Sequence, residues 1–228
     1  MSTITRQHAI LKWVSRHGER SVQDLVEEMG VSPMTIRRDL ATLAESGRVI
    51  RTHGGAAPAS QVMFEFQFLC RTREHRAAKA RIGRLAAARV QPGSTVMLDS
   101  GTTTMAVAQA LRGLEGITVI TTSLPVAAEL QYAPNIDIVL LGGRLRRDAP
   151  DLGGALTLQN LDFLHADVAF LGADGIDRNG TVYNDAIDVG TMLIKMAAAA
   201  TTVYCVADHS KFGRCGLMRF GNLAQWAG

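Results

Sequence analysis

Residues 96–105 read VMLDSGTTTM. A short apolar run ends in an acid, and a small-residue turn with three consecutive threonines follows. The run reads as a strand, and the turn leads into a helical pattern over Thr103–Leu111. At such a junction glycine lets the main chain approach a ligand closely, the first N–H groups of the helix lack partners, and the helix dipole favours an anion. Threonine hydroxyls add donors. The turn therefore suits a phosphate. It lacks the G-x-x-x-x-G-K-[ST] order of a nucleoside-triphosphate loop, and no G-x-G-x-x-G follows the first strand, so nucleotide binding finds no support.

The same alternation continues to either side. STVMLD, ITVIT, IDIVLLGG, DVAFLGAD and TTVYCVAD read as strands, with helices predicted over Leu124–Leu130 and Asp185–Ala199. Strand and helix in alternation predict an α/β fold with a mostly parallel sheet covered by helices. Ligands in such folds gather beyond the carboxyl ends of the strands. The strand ends here carry Asp99-Ser100-Gly101-Thr102-Thr103-Thr104, Thr121-Thr122-Ser123, Gly142-Gly143, Gly172-Ala173-Asp174-Gly175 and Asp208-His209-Ser210-Lys211. Converging on one rim, they predict an anion pocket, with Lys211 as a point countercharge.

Residues 4–55 follow another rhythm. Ile10, Leu11 and Val14 make one helical face, Val22, Leu25, Val26 and Met29 a second, and Ile36, Leu40 and Leu43 a third. Ser21 with Asp24 three residues on reads as a weakened capping box, and Gly30 stands where a left-handed stop is expected. Ser32 offers a cap, and Pro33 takes the first helical position. The join through EEMGVSPMT makes a helix-turn-helix. On a wheel centred on Ile36, Leu40 and Leu43 fall within about 40° of it, while Met34, Arg38 and Ala41 face away with Thr35 and Arg37 on the flanks. Short, polar and cationic near its start, this is the face of a recognition helix that meets base edges in a major groove. Arg37 and Arg38 are candidates for bidentate contact with guanine or for phosphate contact. ESGRVIRTHGGAAP then alternates and breaks at paired glycines, predicting a small β-wing that sets Arg48, Arg51 and His53 beside the phosphate backbone.

Charge divides the chain in the same place. Residues 1–57 carry eight Lys/Arg against six Asp/Glu, residues 58–90 seven against two, and residues 91–228 nine against thirteen. A front that faces a polyanion and a rear with another task follow. We expect a DNA-binding domain over 1–57, a linker over 58–72 and a sensor domain over 73–228, opened by one amphipathic surface helix in RTREHRAAKARIGRLAAARV with Ile82, Leu85 and Ala86 on one face. With 228 residues and 47% apolar content a sizeable core is within reach. No apolar run is long enough to cross a bilayer and the first residues lack a signal peptide's apolar stretch, so a cytoplasmic location is expected. Cys70, Cys205 and Cys215 read as small hydrophobes in or near a core. The six histidines lack ligand spacing, and neither metal nor cofactor is expected.

The stretch from Arg6 to Ala56, above all VSPMTIRRDL followed by ESGRVIRTHGGA, resembles the N-terminal domain of DeoR-type bacterial transcriptional regulators. From about Arg73 to Gly213, DSGTTT, TSLPVA, LLGG, FLGADGI and DHSKFG resemble the sensor domain of the same family, and Arg73 and Lys79 match its R-x-x-x-x-x-K helix. The resemblance implies a winged helix-turn-helix that reads an operator, usually as a repressor. It also implies a sensor similar in fold to ribose-5-phosphate isomerase and coenzyme A transferases, which binds a phosphorylated sugar, polyol or related metabolite. Carried over, Asp99 and Asp174 would bond sugar hydroxyls, Ser100, Gly101, Thr102, Thr103 and Thr104 would hold phosphate or hydroxyls, Thr122 and Ser123 would line the pocket, Gly142 would allow close approach, and Lys211 would contact the anion. This chain departs from the family at Thr122, where an asparagine is common, and near NDAIDVGTML, where Asp185 and Asp188 partly replace an acidic pair. It departs again after DHSKFGR, where a further strand and helix are usual and this chain gives RFGNLAQWAG. Either the rim of the sheet is left incomplete or the tail packs differently.

The reading is a non-enzymatic regulator of a sugar or polyol catabolic operon, acting as a homodimer or homotetramer on double-stranded operator DNA. The alternative is a sugar-phosphate isomerase-like enzyme with Asp99, Asp174 and Lys211 in catalytic parts.

Overall fold

The computed structural model describes residues 3–45, 48–58, 68, 71–146 and 149–228. The chain divides into two units, Met1–Leu69 and Cys70–Gly228, and each is described by itself. The linker expected over 58–72 runs mostly through residues outside those described, as does Cys70.

The first unit contains α1 (Thr3–His17), β1 (Arg20–Ser21), α2 (Val22–Met29), α3 (Pro33–Glu45), β2 (Val49–Thr52) and β3 (Gly55–Pro58). Ile10 and Val14 of α1, Leu25 of α2, and Ile36, Leu40 and Leu43 of α3 meet in one core with almost no exposure. Burying such a side chain contributes about 1.5–3 kcal/mol, and this packing, more than propensity, sustains helices so short. Ser21 Oγ accepts the Asp24 N–H at 3.1 Å and Asp24 accepts the Ser21 N–H at 2.9 Å, so the capping box closes in both directions. Gly30 stops α2 at φ 64°. Strands β2 and β3 form the wing hairpin, turning at His53-Gly54. The two-residue β1 adds to β3, giving the order β1-β3-β2. The paired glycines have separate causes: Gly54 turns at φ 117°, and a Cβ on Gly55 would sit 2.0 Å from the Arg20 carbonyl oxygen.

The second unit runs α4 (Arg76–Ala87), β4 (Thr95–Leu98), α5 (Thr102–Leu111), β5 (Ile117–Thr121), α6 (Leu124–Leu130), β6 (Ile136–Leu140), β7 (Arg144–Leu145), β8 (Leu152–Gly153), α7 (Ala155–Asn160), β9 (Ala166–Gly172), β10 (Gly175–Ile176), β11 (Thr181–Asn184), α8 (Ile187–Ala198), β12 (Ala200–Val206) and β13 (Met218–Asn222). Five strands form a parallel sheet in the order β12-β9-β4-β5-β6. Alternate side chains feed opposite cores. Val96, Leu98, Val119 and Phe170 pack with Val107, Leu111 and Val126 on one face, while Met97, Ile120, Ala169 and Leu171 pack with Leu193 and Met196 on the other. Burial on both faces explains why these strands read as continuous apolar runs.

Three expectations are corrected here. The helix expected across 71–90 is broken at Glu74-His75, where His75 has φ 52°, and α4 begins at Arg76. Leu85 is 67% exposed, because α4 turns Lys79, Gly83 and Ala86 inward, with Ile82 packed against the same core. A Cβ on Gly83 would lie 2.2 Å from the Ala106 carbonyl oxygen, so α4 and α5 touch backbone to backbone. Cys215 is exposed rather than near a core, whereas Cys205 is partly buried.

The tail packs against the sheet. β13 joins β10 and β11 in an antiparallel sheet of order β10-β11-β13, Trp226 tilts onto Phe220 at 5.8 Å, and the N–H of Ala227 and carbonyl of Gly228 bond to Val203 and Cys205 of β12. Among the described residues no helix is long and apolar enough to cross a membrane.

Candidate functional site

On α3 the expected outward face is open. Met34 is 65% exposed, and Ser32, Pro33, Arg37 and Arg38 are exposed with Thr35 half-buried. Ser32 Oγ accepts the Thr35 N–H at 3.3 Å and lies 2.9 Å from its hydroxyl, which fixes the start of the helix. Arg48, Arg51 and His53 are exposed along the wing. Asp39 turns the other way. Its carboxylate is buried, accepts Arg6 Nε at 2.5 Å and Gln7 Nε2 at 3.1 Å, and so ties α3 to α1. Asp39 sits inside TIRRDL, where the wheel assigned it no role.

In the sensor unit the strand ends meet through hydrogen bonds. Asp99 is buried at the end of β4, and its carboxylate accepts the N–H of Ser100 at 2.6 Å and of Gly172 at 3.1 Å, which joins the β4 and β9 ends. Ser100 Oγ donates to Asp151 at 2.5 Å, and Asp151 lies 3.5 Å from Arg146 Nε. Ser123 pairs with Asp151 as an isolated bridge, and the Leu152 N–H reaches the Thr122 carbonyl at 2.9 Å, which brings in the β5 end. Asp174 pairs with Arg71 at 2.8 Å and accepts the Asp185 N–H at 3.2 Å. Burial pushes the Asp99 pKa up from 3.8 to about 6; the Ser100 and Gly172 N–H groups oppose this, and the charges of Asp151 and Asp174 add to it. A carboxyl that changes protonation near neutrality can offer either a donor or an acceptor to a hydroxylated ligand.

Other expected residues take different places. Gly101 precedes α5, with Thr102 half-buried and Thr103 buried in its first turn. Thr104 leaves the ligand-facing set: it is fully buried, and its hydroxyl points to the carbonyls of Asp99 and Gly101, each at 2.7 Å. Ser123 is buried, and its Oγ accepts the Val126 N–H at 3.3 Å to cap α6. Gly142, beyond β6, gives its carbonyl to Thr157 Oγ1 at 2.8 Å and Asn160 Nδ2 at 3.4 Å, so its bonds run to α7 and not to the Asp99 group. Lys211 is half-buried on the short helical turn His209–Lys211 and makes no salt bridge among the described residues.

Sequence reasoning missed three residues. Asp151 is buried in the middle of the network, yet a single acid in PDLGG carries no spacing signal. Arg71, which pairs with Asp174, opens the stretch read as an amphipathic surface helix and was assigned no role. Lys79 was placed on a solvated face but is buried, with its Nζ donating to the Arg71 carbonyl. Burial lowers the Lys79 pKa, as do the charges of Lys211 and Arg71, against Asp208 and Glu74.

Two family descriptions match the chain: a DeoR-like helix-turn-helix domain over residues 6–62 and a DeoR C-terminal sensor domain over residues 74–227. The chain belongs to the DeoR family. Among relatives of this DeoR-family chain, the glycerol-3-phosphate regulon repressor of Escherichia coli K12 is 36% identical over 227 residues, covering 98% of this chain and 88% of the relative. The transcriptional repressor GlcR of Bacillus subtilis 168 is 34% identical over 215 residues, covering 94% and 83%. Among solved structures, ribose 5-phosphate isomerase A of Methanocaldococcus jannaschii matches 61% of this chain and 55% of its own, at 18% identity and a TM-score of 0.46.

Proposed function

We propose that this DeoR-family chain is a sequence-specific DNA-binding repressor of a sugar or polyol catabolic operon, released from its operator by a phosphorylated sugar or related metabolite. The observation that carries the reading is the pairing, in one polypeptide, of an open cationic helix face at Arg37 and Arg38 with buried strand ends bonded together around Asp99. Arg37 and Arg38 read bases or hold phosphate, and Arg48, Arg51 and His53 steady the wing on the backbone. In the sensor, Asp99 and Asp174 take sugar hydroxyls, Ser100, Gly101, Thr102 and Thr103 face the anionic group, and Lys211 supplies countercharge. The names of the relatives support a repressor, and the pairing of Asp174 with Arg71 supports a rim where a competing ligand can exchange partners.

Operator choice by so small a winged unit calls for two or more copies on repeated half-sites, hence a homodimer or homotetramer. Release requires that the effector bind the DNA-free arrangement more tightly than the DNA-bound one. The test measures operator binding by the full chain across phosphorylated sugars and polyols, with unphosphorylated partners as controls. Release by one phosphorylated compound without its turnover is expected. Turnover would favour an isomerase-like enzyme, and indifference to every phosphoester would remove the sensor role.

A further inference from the structure

The histidines lack ligand spacing along the chain, but folding creates it. His75, Asp208 and His209 each present a ligand atom within 4.8 Å of the others, and the two imidazoles stand edge to face with centroids 4.8 Å apart. We propose that His75, Asp208 and His209 form a three-ligand site for a divalent transition-metal ion of the zinc class, with a fourth position open. Four observations bear on it.

The ligand set is two imidazoles and one carboxylate, which suits zinc and its neighbours better than calcium or magnesium. Asp208 is buried and already oriented: Oδ1 accepts the N–H of Ser210 at 2.9 Å and its hydroxyl at 2.6 Å, leaving Oδ2 for an incoming cation. Supporting bonds of this kind hold a metal carboxylate in place. His75 is the one non-glycine residue with positive φ among those described. That costly conformation ends the helical turn at 71–73 and sets the imidazole next to His209, and such strain concentrates at functional positions. Finally, ligand atoms around a tetrahedral zinc are about 3.4 Å apart, and both imidazoles are exposed, so side-chain rotation can close the remaining gap. Lys79 and Lys211 lie nearby, since both affect the local electrostatics, and their charge opposes a dication. The site is therefore an exchangeable one.

The test uses the tag-free full chain stripped by a chelator, titrated with zinc by calorimetry and with cobalt(II) by visible absorption, without DNA or phosphoester. It thus stands or falls apart from the proposed function. One equivalent of zinc and a tetrahedral cobalt band are expected. His75→Ala and His209→Ala should each weaken zinc by more than about tenfold and remove the band, while His165→Ala, elsewhere on the same unit, changes neither. Because His75 and His209 are exposed, circular dichroism and a melt should show both variants folded; if one is not, the other decides. Equal affinity in the folded histidine variants, or no saturable binding by the unmodified chain, overturns the site.

Discussion

In the helix-turn-helix unit, the side chains proposed to meet DNA stand in solvent, with Met34, Arg37, Arg38, Arg48, Arg51 and His53 all exposed above a core of aliphatic residues. In the sensor unit, Asp99, Thr103, Thr122 and Ser123 are buried, with Asp99 bonded to the end of β9 and Thr122 and Ser123 paired with residues 151–152. The contrast fits the ligands proposed for the two units. A duplex is large, rigid and charged, so cations that remain hydrated can reach it and release its counterions. A small metabolite must be enclosed, and its polar groups are paired only if the protein's own polar groups are desolvated in advance. On that reading the reader separates stability from recognition residue by residue, whereas the sensor combines them.

Substitutions test this separation. The largest effect is expected from Leu40→Ala, which opens a cavity in the reader core and should cost about 2–5 kcal/mol. Followed through Trp13 in a Trp226→Phe background, the reader transition should fall while effector binding persists; loss of effector binding as well would overturn that expectation. Next is Asp99. The folded chain keeps this proton up to about pH 6 whereas an unfolded aspartate releases it near 3.8, so folding binds a proton between those values. Stability from this group therefore falls as pH rises through that window, by roughly 3 kcal/mol in all. Asp99→Asn should flatten the difference between chemical melts taken at pH 4 and pH 6.5, and identical pH slopes in the two proteins would refute the coupling.

Smaller effects sharpen the comparison from the recognition side. Arg38→Ala should weaken operator binding by about 1–3 kcal/mol in a gel-shift or anisotropy titration, with both melting transitions unmoved. Unchanged DNA affinity removes Arg38 from the reading face. Lys211→Ala should leave operator affinity intact and raise the effector concentration needed for release by about tenfold, in line with the loss of one charge-assisted contact. A normal release curve would end its anion role.

Most of both folds was legible because periodicity reports burial. The three-helix faces and the five parallel strands follow from residues whose spacing repeats over several turns or pleats, and the capping box at Ser21 and Asp24 from a local motif. What escaped was held by contacts distant in sequence or by elements too short to have a period. The two-residue β1 shows itself only through the Cβ-free approach at Gly55, and β10, β11 and β13 come together from separate stretches. Within the rim, Thr104 looked the same as its neighbours in the sequence, since only the fold decides which hydroxyl turns toward the main chain. Lys79 read as a surface cation because charge alone does not reveal which helix face is covered. The meeting of His75 with His209 depends on a backbone turn that composition does not encode.

The inward turn of Asp39 bears on attempts to redirect the protein to a new target promoter. Along the start of α3, Met34, Arg37 and Arg38 are free to be rewritten, while Ile36, Asp39 and Leu40 are committed to holding the helix against its neighbours. A randomised library that spares those three would explore new base preferences; one that sweeps through Asp39 would mostly select for survivors that still fold.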